Sequence, residues 1–189
     1  RQRDMVYVAE TYLRHVLRLR PTDVSFSAAR LFFAYGLGNS LYFPLAAGCA
    51  AVLLPEAATP RACFAVLERH RPTVFHAVPR TYAAMLELHD AWRAGREEPP
   101  PHPPALAHLR LATSGGEPLP PELLARWQAA FGLPILDGIG STEVLHFYVA
   151  NRPHDVRPGS TGRPVPGYDL RLVDGAGREA PASTSDPPA

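Results

Sequence analysis

Apolar residues recur along this chain with two periods, and the alternation between them outlines the elements. Met5, Val8, Tyr12, Val16 and Leu19 follow at three- or four-residue steps, which places them on one face of a helix that stops before Pro21. "DVSFSA" reads as a short strand, residues 37–47 as a buried helix, and "CAAVLLP" as a buried strand. Residues 59–70 form the next helix, with Thr59 as N-cap and Pro60 at the first helical position. "TVFHAV" is a strand, 79–88 a helix, "LRLATSGG" a strand, 120–131 a helix and "LPILDGIG" a strand.

Short apolar strands alternating with helices predict an α/β fold with a largely parallel sheet flanked by helices. "YDLRLVD" begins a polar-alternating strand that leads into a "DGAG" turn. Two segments break the pattern. In residues 89–104, "HDAWRAGREEPPPHPP", five of the last six residues are proline, which argues for a flexible surface insertion. The final "PASTSDPPA" has the composition of a disordered tail, and no internal repeat is visible.

Composition changes this picture little. Of 189 residues, 46% are hydrophobic and 20% charged, enough apolar material for a buried core. A formal net charge of +1 implies no strong attraction to nucleic acid or to an acidic membrane. Cys49 and Cys63 lack metal-ligand spacing and form no disulfide framework, so they read as buried free thiols of a cytoplasmic, reducing compartment. Residues 31–55 carry no charge and are long enough to span a bilayer. However, Gly36, Gly38, Asn39, Pro44 and Gly48 interrupt them, so loop, helix and strand in succession fit better. The arginine-rich start could mimic a transit peptide, but Asp4 and Glu10 oppose that reading. Twenty-two prolines, and Arg1 where a methionine would open a complete chain, suggest a piece of a longer protein.

Candidate chemistry collects where strands end. In a parallel α/β sheet ligands bind at the carboxyl ends of strands, and three ends here are small or polar: "HAVP", "TSGGEP" and "DGIGSTE". Paired glycines let a ligand approach the backbone and leave amide N–H groups for an anion. Ser141 and Thr142 can donate to phosphate oxygens, and Glu143 is a hard oxygen ligand suited to Mg²⁺. Taken singly, each has a plainer role. The glycine pair could be a tight turn, Ser141 or Thr142 the cap of a helix begun by Glu143, His76 a core or supporting histidine, and His146 a surface helix residue.

"ATSGGEPLP", "DGIGSTE" and "RLFFAYGLGNSLYFPL" resemble three motifs of the adenylate-forming superfamily of acyl-CoA synthetases, luciferases and peptide-synthetase adenylation domains. With "NRPHDVRPGSTGRPVPGYDLRLVD", the resemblance is nearest to the benzoate-CoA ligase branch and covers roughly residues 3–180. It implies that ATP and an aromatic carboxylate form an aryl-adenylate, which passes its acyl group to coenzyme A. By this resemblance Thr142 contacts the ATP phosphate and Glu143 holds Mg²⁺, the two catalytic positions. Gly116, Glu117, Pro118, Asp137, Gly138, Ile139 and Ser141 join Thr142 around the nucleotide. Ile139 stands where most relatives carry an aromatic residue.

The acid pocket implied in the same way comprises Phe33 as its gate, Ala34, Tyr35 and Gly36 as one wall, and Ser114, Gly115, Gly140, His146 and Phe147 closing the rest. Small residues at Ala34, Gly36, Gly115 and Gly140 are expected to leave room for a flat, benzoate-sized ring. The resemblance makes residues 1–168 the middle of an AMP-binding N-terminal domain, 169–180 the start of a β-subdomain and 181–189 a tail. The family's phosphate loop and catalytic lysine would lie outside this stretch, so it is expected to be inactive by itself. Two other readings share the motifs: an aryl-acid adenylation domain that loads a carrier protein, and a non-catalytic remnant.

Overall fold

A computed structural model describes residues 1–98 and 106–179. Helix α1 is regular over Gln2–Val8 and continues with wider, π-type turns over Ala9–Leu17. Strand β1 (Val24–Ser27) follows, then α2, which runs from Ala34–Leu37 through a π-type segment at Gly38–Tyr42 to Phe43–Ala47. Next come β2 (Ala50–Val52), α3 (Pro60–His70), β3 (Val74–Ala77), α4 (Pro79–Arg93), β4 (Leu111–Ser114) and α5 (Pro121–Phe131). The chain then forms β5 (Ile135–Gly140), a 3₁₀ turn at Thr142–Val144, β6 (Phe147–Ala150) and β7 (Arg163–Pro164).

The strands make one sheet in the order β2-β1-β3-β4-β5-β6-β7. The first five are parallel, and β6 and β7 add antiparallel. Because successive strand residues face opposite sides, the central strands feed two cores. Phe26, Phe75, Ala112 and Ile135 pack with Leu67 of α3, Met85 of α4 and Trp127 of α5. Val74, Leu111 and Leu136 pack on the other side with Tyr12, Val16 and Leu17 of α1 and Phe43 of α2. Burial on both faces is why the first halves of β3, β4 and β5 are apolar at consecutive positions.

Thr59 caps α3 as its sequence indicates, its hydroxyl accepting from the Ala62 amide at 3.2 Å. Elsewhere the structure departs from the pattern. Helix α2 begins at Ala34, three residues before the expected start, and α4 continues to Arg93. Residues 89–93 are thus helical rather than part of a loose insertion, and Trp92 is buried against Phe64. The proline-rich remainder of that insertion, from residue 99, and the 181–189 tail lie outside the described residues. Strand β2 is a three-residue edge with Ala50 and Ala51 exposed, not a buried strand, because it has a partner on one side only. "YDLRLVD" is no regular strand: Val173 makes a single bridge to Glu179 around the expected turn, closed by the Gly177 amide donating to the Asp174 carbonyl at 2.9 Å. Strand β6, unforeseen, occupies the place of the helix that Glu143 could have begun. Among the described residues no helix is long and apolar enough to cross a membrane.

Candidate active site

The strand register aligns the carboxyl ends. Ser27 pairs with His76, His76 with Thr113, and Ser114 with Asp137. The chain order turns back on itself at β1, with β2 on one side and β3 on the other, the arrangement that opens a crevice at strand ends in such sheets.

Two small cavities lie there. One, of about 160 Å³, is lined by Phe33, Ala34, Tyr35, Gly116, Gly140, Ser141, Thr142, His146 and Phe147. The other, of about 140 Å³, is lined by Gly116, Glu117, Pro118, Gly138, Ile139, Gly140 and Thr161. They share Gly116 and Gly140. At Gly116 a φ of +89° turns the chain between them, a conformation that a side chain would oppose. A larger space of about 500 Å³ lies beyond residues 28–32 and contains none of the expected site residues.

The first cavity is built of rings. Tyr35 stacks on Phe147 with centroids 5.1 Å apart and planes at 21°. His146 sits between Tyr12, Tyr35, Phe43 and Phe147 at centroid distances of 4.7–5.3 Å. It is therefore buried rather than a surface helix residue, and burial lowers its pKa to about 3, against a slight pull from the Tyr35 backbone, so the ring is neutral. Phe33 stands exposed at the rim against Phe32, with centroids 4.6 Å apart.

Behind this wall runs a chain of hydroxyl and imidazole. The Tyr35 hydroxyl lies 2.6 Å from Thr113 Oγ1, which lies 2.7 Å from His76 Nδ1. His76 has no exposed surface and is held well below the usual imidazole range, by burial first and the neighbouring His146 second. Sequence reasoning named His76 as a core or supporting histidine and gave Thr113 no role of its own, although Thr113 opens the quoted "TSGGEP". Thr161 was also missed, although it lies within the quoted "GSTGRPVPGY".

The remaining expected residues are distributed unevenly. Gly36, Ser114 and Gly115 line neither cavity. A Cβ on Gly36 would meet the Arg30 carbonyl at 2.1 Å, one on Gly115 the Phe147 ring at 2.2 Å, and one on Gly140 the His146 carbonyl at 2.3 Å. These glycines answer first to close packing, and of the four small residues Ala34 and Gly140 border the ring cavity. Asp137 is buried below the second cavity, where its carboxylate accepts from the Leu119 amide at 3.4 Å. Burial pushes it up to about 6, against the Leu119 amide and Ser114, which favour the ionised form.

Glu143 lines neither cavity. It is exposed on the 3₁₀ turn next to Thr142, and its carboxyl is held below the usual range by its own backbone amide and then by the Ser141 hydroxyl. No side chain caps this turn, and Leu145 ends it at φ +68°. A non-glycine residue in that region is strained, a condition that gathers at functional sites. The capping role for Ser141 and Thr142 thus finds no hydrogen bond to support it.

The chain is similar to known proteins along most of its length. The chain is 52% identical over 176 residues to a benzoate–CoA ligase of Thauera aromatica, covering 93% of this chain and 32% of that protein. A crystal structure of a benzoate CoA ligase from Burkholderia xenovorans LB400 superposes with a TM-score of 0.83 at 48% identity, covering 94% of this chain and 34% of that one. The anthranilate CoA ligase AuaEII, solved in complex with anthranoyl-AMP, gives a TM-score of 0.85 at 41% identity over 95% of this chain and 33% of its own. The chain thus spans about a third of the length of these relatives. The AMP-binding enzyme profile matches residues 1–185, and the chain belongs to the AMP-binding enzyme family.

Proposed function

We propose that this chain is the middle of the nucleotide-binding domain of an aryl-acid CoA ligase that acts on benzoate or a substituted benzoate. The observation that carries the reading is the pair of adjoining cavities, one walled by rings and one by backbone and small residues, meeting at Gly116 and Gly140. The names of the relatives above support the substrate class and coenzyme A as acceptor.

In this reading the aromatic ring lies in the cavity of Phe33, Ala34, Tyr35, Gly140, His146 and Phe147, and adenine lies against Glu117, Pro118 and Ile139. A carboxylate oxygen then forms a bond to the α-phosphorus of ATP as the bond to pyrophosphate breaks. In the second half the coenzyme A sulfur bonds to the acyl carbon and AMP leaves. Thr142 lines the ring cavity and Glu143 follows it, so the phosphates would cross between the two sites. The hydroxyls of Ser141 and Thr142 orient those oxygens, and positioning supplies much of the rate.

The donor set fits one Mg²⁺. Among the described residues no group of three His, Cys, Asp or Glu side chains could hold a metal alone, but Glu143 offers an exposed, ionised carboxylate. Mg²⁺ characteristically takes one or two carboxylates together with substrate phosphates. Held there, the ion would neutralise phosphate charge, while the protein supplies orientation.

The test uses the protein expressed with its flanking sequence. Glu143→Gln keeps size and hydrogen bonding and removes the charge. Pyrophosphate release with benzoate should fall by roughly two to three powers of ten, as for other preorganised electrostatic groups, with the thermal midpoint nearly unchanged. A variant that is less stable yet still fast would assign Glu143 a structural role and refute this reading of the turn.

A further inference from the structure

The ring cavity presents little that can hydrogen-bond to a ring substituent. Phe33, Ala34, Gly140 and Phe147 offer no polar side-chain atom, and both ring nitrogens of His146 are buried. The hydroxyls of Ser141 and Thr142 belong to the turn that leads to Glu143. That leaves the Tyr35 hydroxyl, in a side chain that forms the wall of the slot, and this hydroxyl is engaged from behind by Thr113 at 2.6 Å. Thr113 is itself fully buried and engaged by His76 at 2.7 Å. Thr113 and His76 line neither cavity.

Building on the proposed function, we propose that Thr113, backed by His76, is a specificity-determining positioning residue. By occupying the Tyr35 hydroxyl, it makes the slot read as apolar and selects a ring without hydroxyl or amino substituents. Two further contacts support a fixed wall. Tyr35 is stacked on Phe147, and its ring stands edge-on to His76 with centroids 6.3 Å apart, so the hydroxyl's ring is packed against both while it meets Thr113. The physical reason for selection is that a buried donor or acceptor without a partner is costly, whereas a site with a partner in place tolerates it. An apolar pocket rejects an added hydroxyl by about a hundredfold at most, so the expected preference is moderate.

Thr113→Val keeps the side-chain shape and removes the hydroxyl, which frees the Tyr35 hydroxyl to meet a substituent. The experiment measures pyrophosphate release by the protein with its flanking sequence, comparing kcat/KM for benzoate with that for 3- and 4-hydroxybenzoate. The starting protein should prefer benzoate by about tenfold or more. Thr113→Val should narrow that preference about tenfold with the KM for ATP unchanged, and Thr113→Ser should restore it. In the double variant Thr113→Val, Tyr35→Phe the preference should return, because the freed hydroxyl is gone. A merely structural Thr113 would lower rates for all three acids together.

Tyr35→Phe alone gives an independent route should Thr113→Val not fold. The benzoate preference should persist there, and a preference that widened tenfold would show the hydroxyl already serving a substituent. That result, a starting protein that favours a hydroxybenzoate, or an unchanged ratio in Thr113→Val would overturn the inference. Failure to adenylate any aromatic acid would overturn the proposed function, and this inference with it. Adenylation with the wrong ratios would overturn the inference alone.

Discussion

The two ends of the parallel strands are built on opposite rules. At the amino ends, Asp23 accepts from Thr73 Oγ1 at 2.7 Å, from the Arg20 amide at 2.7 Å, and from Arg110 Nε and Nη2 at 2.9 and 2.6 Å. Arg110 also donates to the Leu17 and Arg18 carbonyls that end α1. Each of these groups has a partner, and the network ties α1, β1, β3 and β4 together. At the carboxyl ends, among the described residues, His76 Nε2 is buried without a hydrogen-bond partner, and Phe32 and Phe33 stand in solvent. The amino ends are closed by an ion-pair network, whereas the carboxyl ends carry the two cavities. An orphaned buried polar atom costs stability, which makes His76 Nε2 a weak point of β3.

The comparison is most exposed to Asp23→Ala. Removing the buried Asp23 leaves a partly exposed Arg110 with only its carbonyl acceptors, so the loss should be about 3 kcal/mol in denaturant unfolding, the low end for a broken buried pair. A loss below about 0.5 kcal/mol, the range of an ordinary surface change, would show that the amino-end network does not bear stability.

The next effect is a contrast in pH. Asp23 is lowered to about 2, by its Arg110 and Thr73 hydrogen bonds outweighing burial, so its stabilisation is present above the usual carboxylate pKa and is lost as pH falls toward 2. Asp137 has the opposite sign. Raised to about 6 by burial, it is most stabilising when protonated, and that contribution is lost as pH rises from about 4 through 6. Asp137→Asn should remove that slope, a difference of up to about 3 kcal/mol between pH 4 and 7 relative to the starting protein. Identical slopes in the two proteins would mean that Asp137 is not held protonated by its site.

The smallest expected effect sharpens the picture at the carboxyl end. In Gly115→Ala the new methyl meets the Phe147 ring, which must shift from its stacked place beside Tyr35. Stability should fall by about 1–2 kcal/mol, the range for overpacking, while the KM for the aromatic acid rises and the KM for ATP holds. Equal changes in both KM values would detach Phe147 from the proposed acid pocket.

Much of this was written in the sequence because local chemistry determines it. The apolar period placed the parallel strands, Thr59 and Pro60 began α3, and the small or polar strand ends "TSGGEP" and "DGIGSTE" marked the crevice. Helix ends were less legible. Trp92 holds α4 together to Arg93 through contact with Phe64, a residue far away in the chain, so no local signal announces it. The same holds for β6, which exists because β5 offers it an antiparallel edge.

What the sequence determined by itself was the alternating α/β order, the family and the strand ends beside which the cavities lie, since propensity, caps and motif spacing depend on neighbours in the chain. Tertiary structure alone decided which residues share a wall. It set Gly36 and Gly115 to packing rather than to the slot, buried His146 among four rings, and joined Tyr35, Thr113 and His76 from three separate segments. Those contacts depend on strand register and on how α2 folds over the sheet, and no short window of sequence contains both.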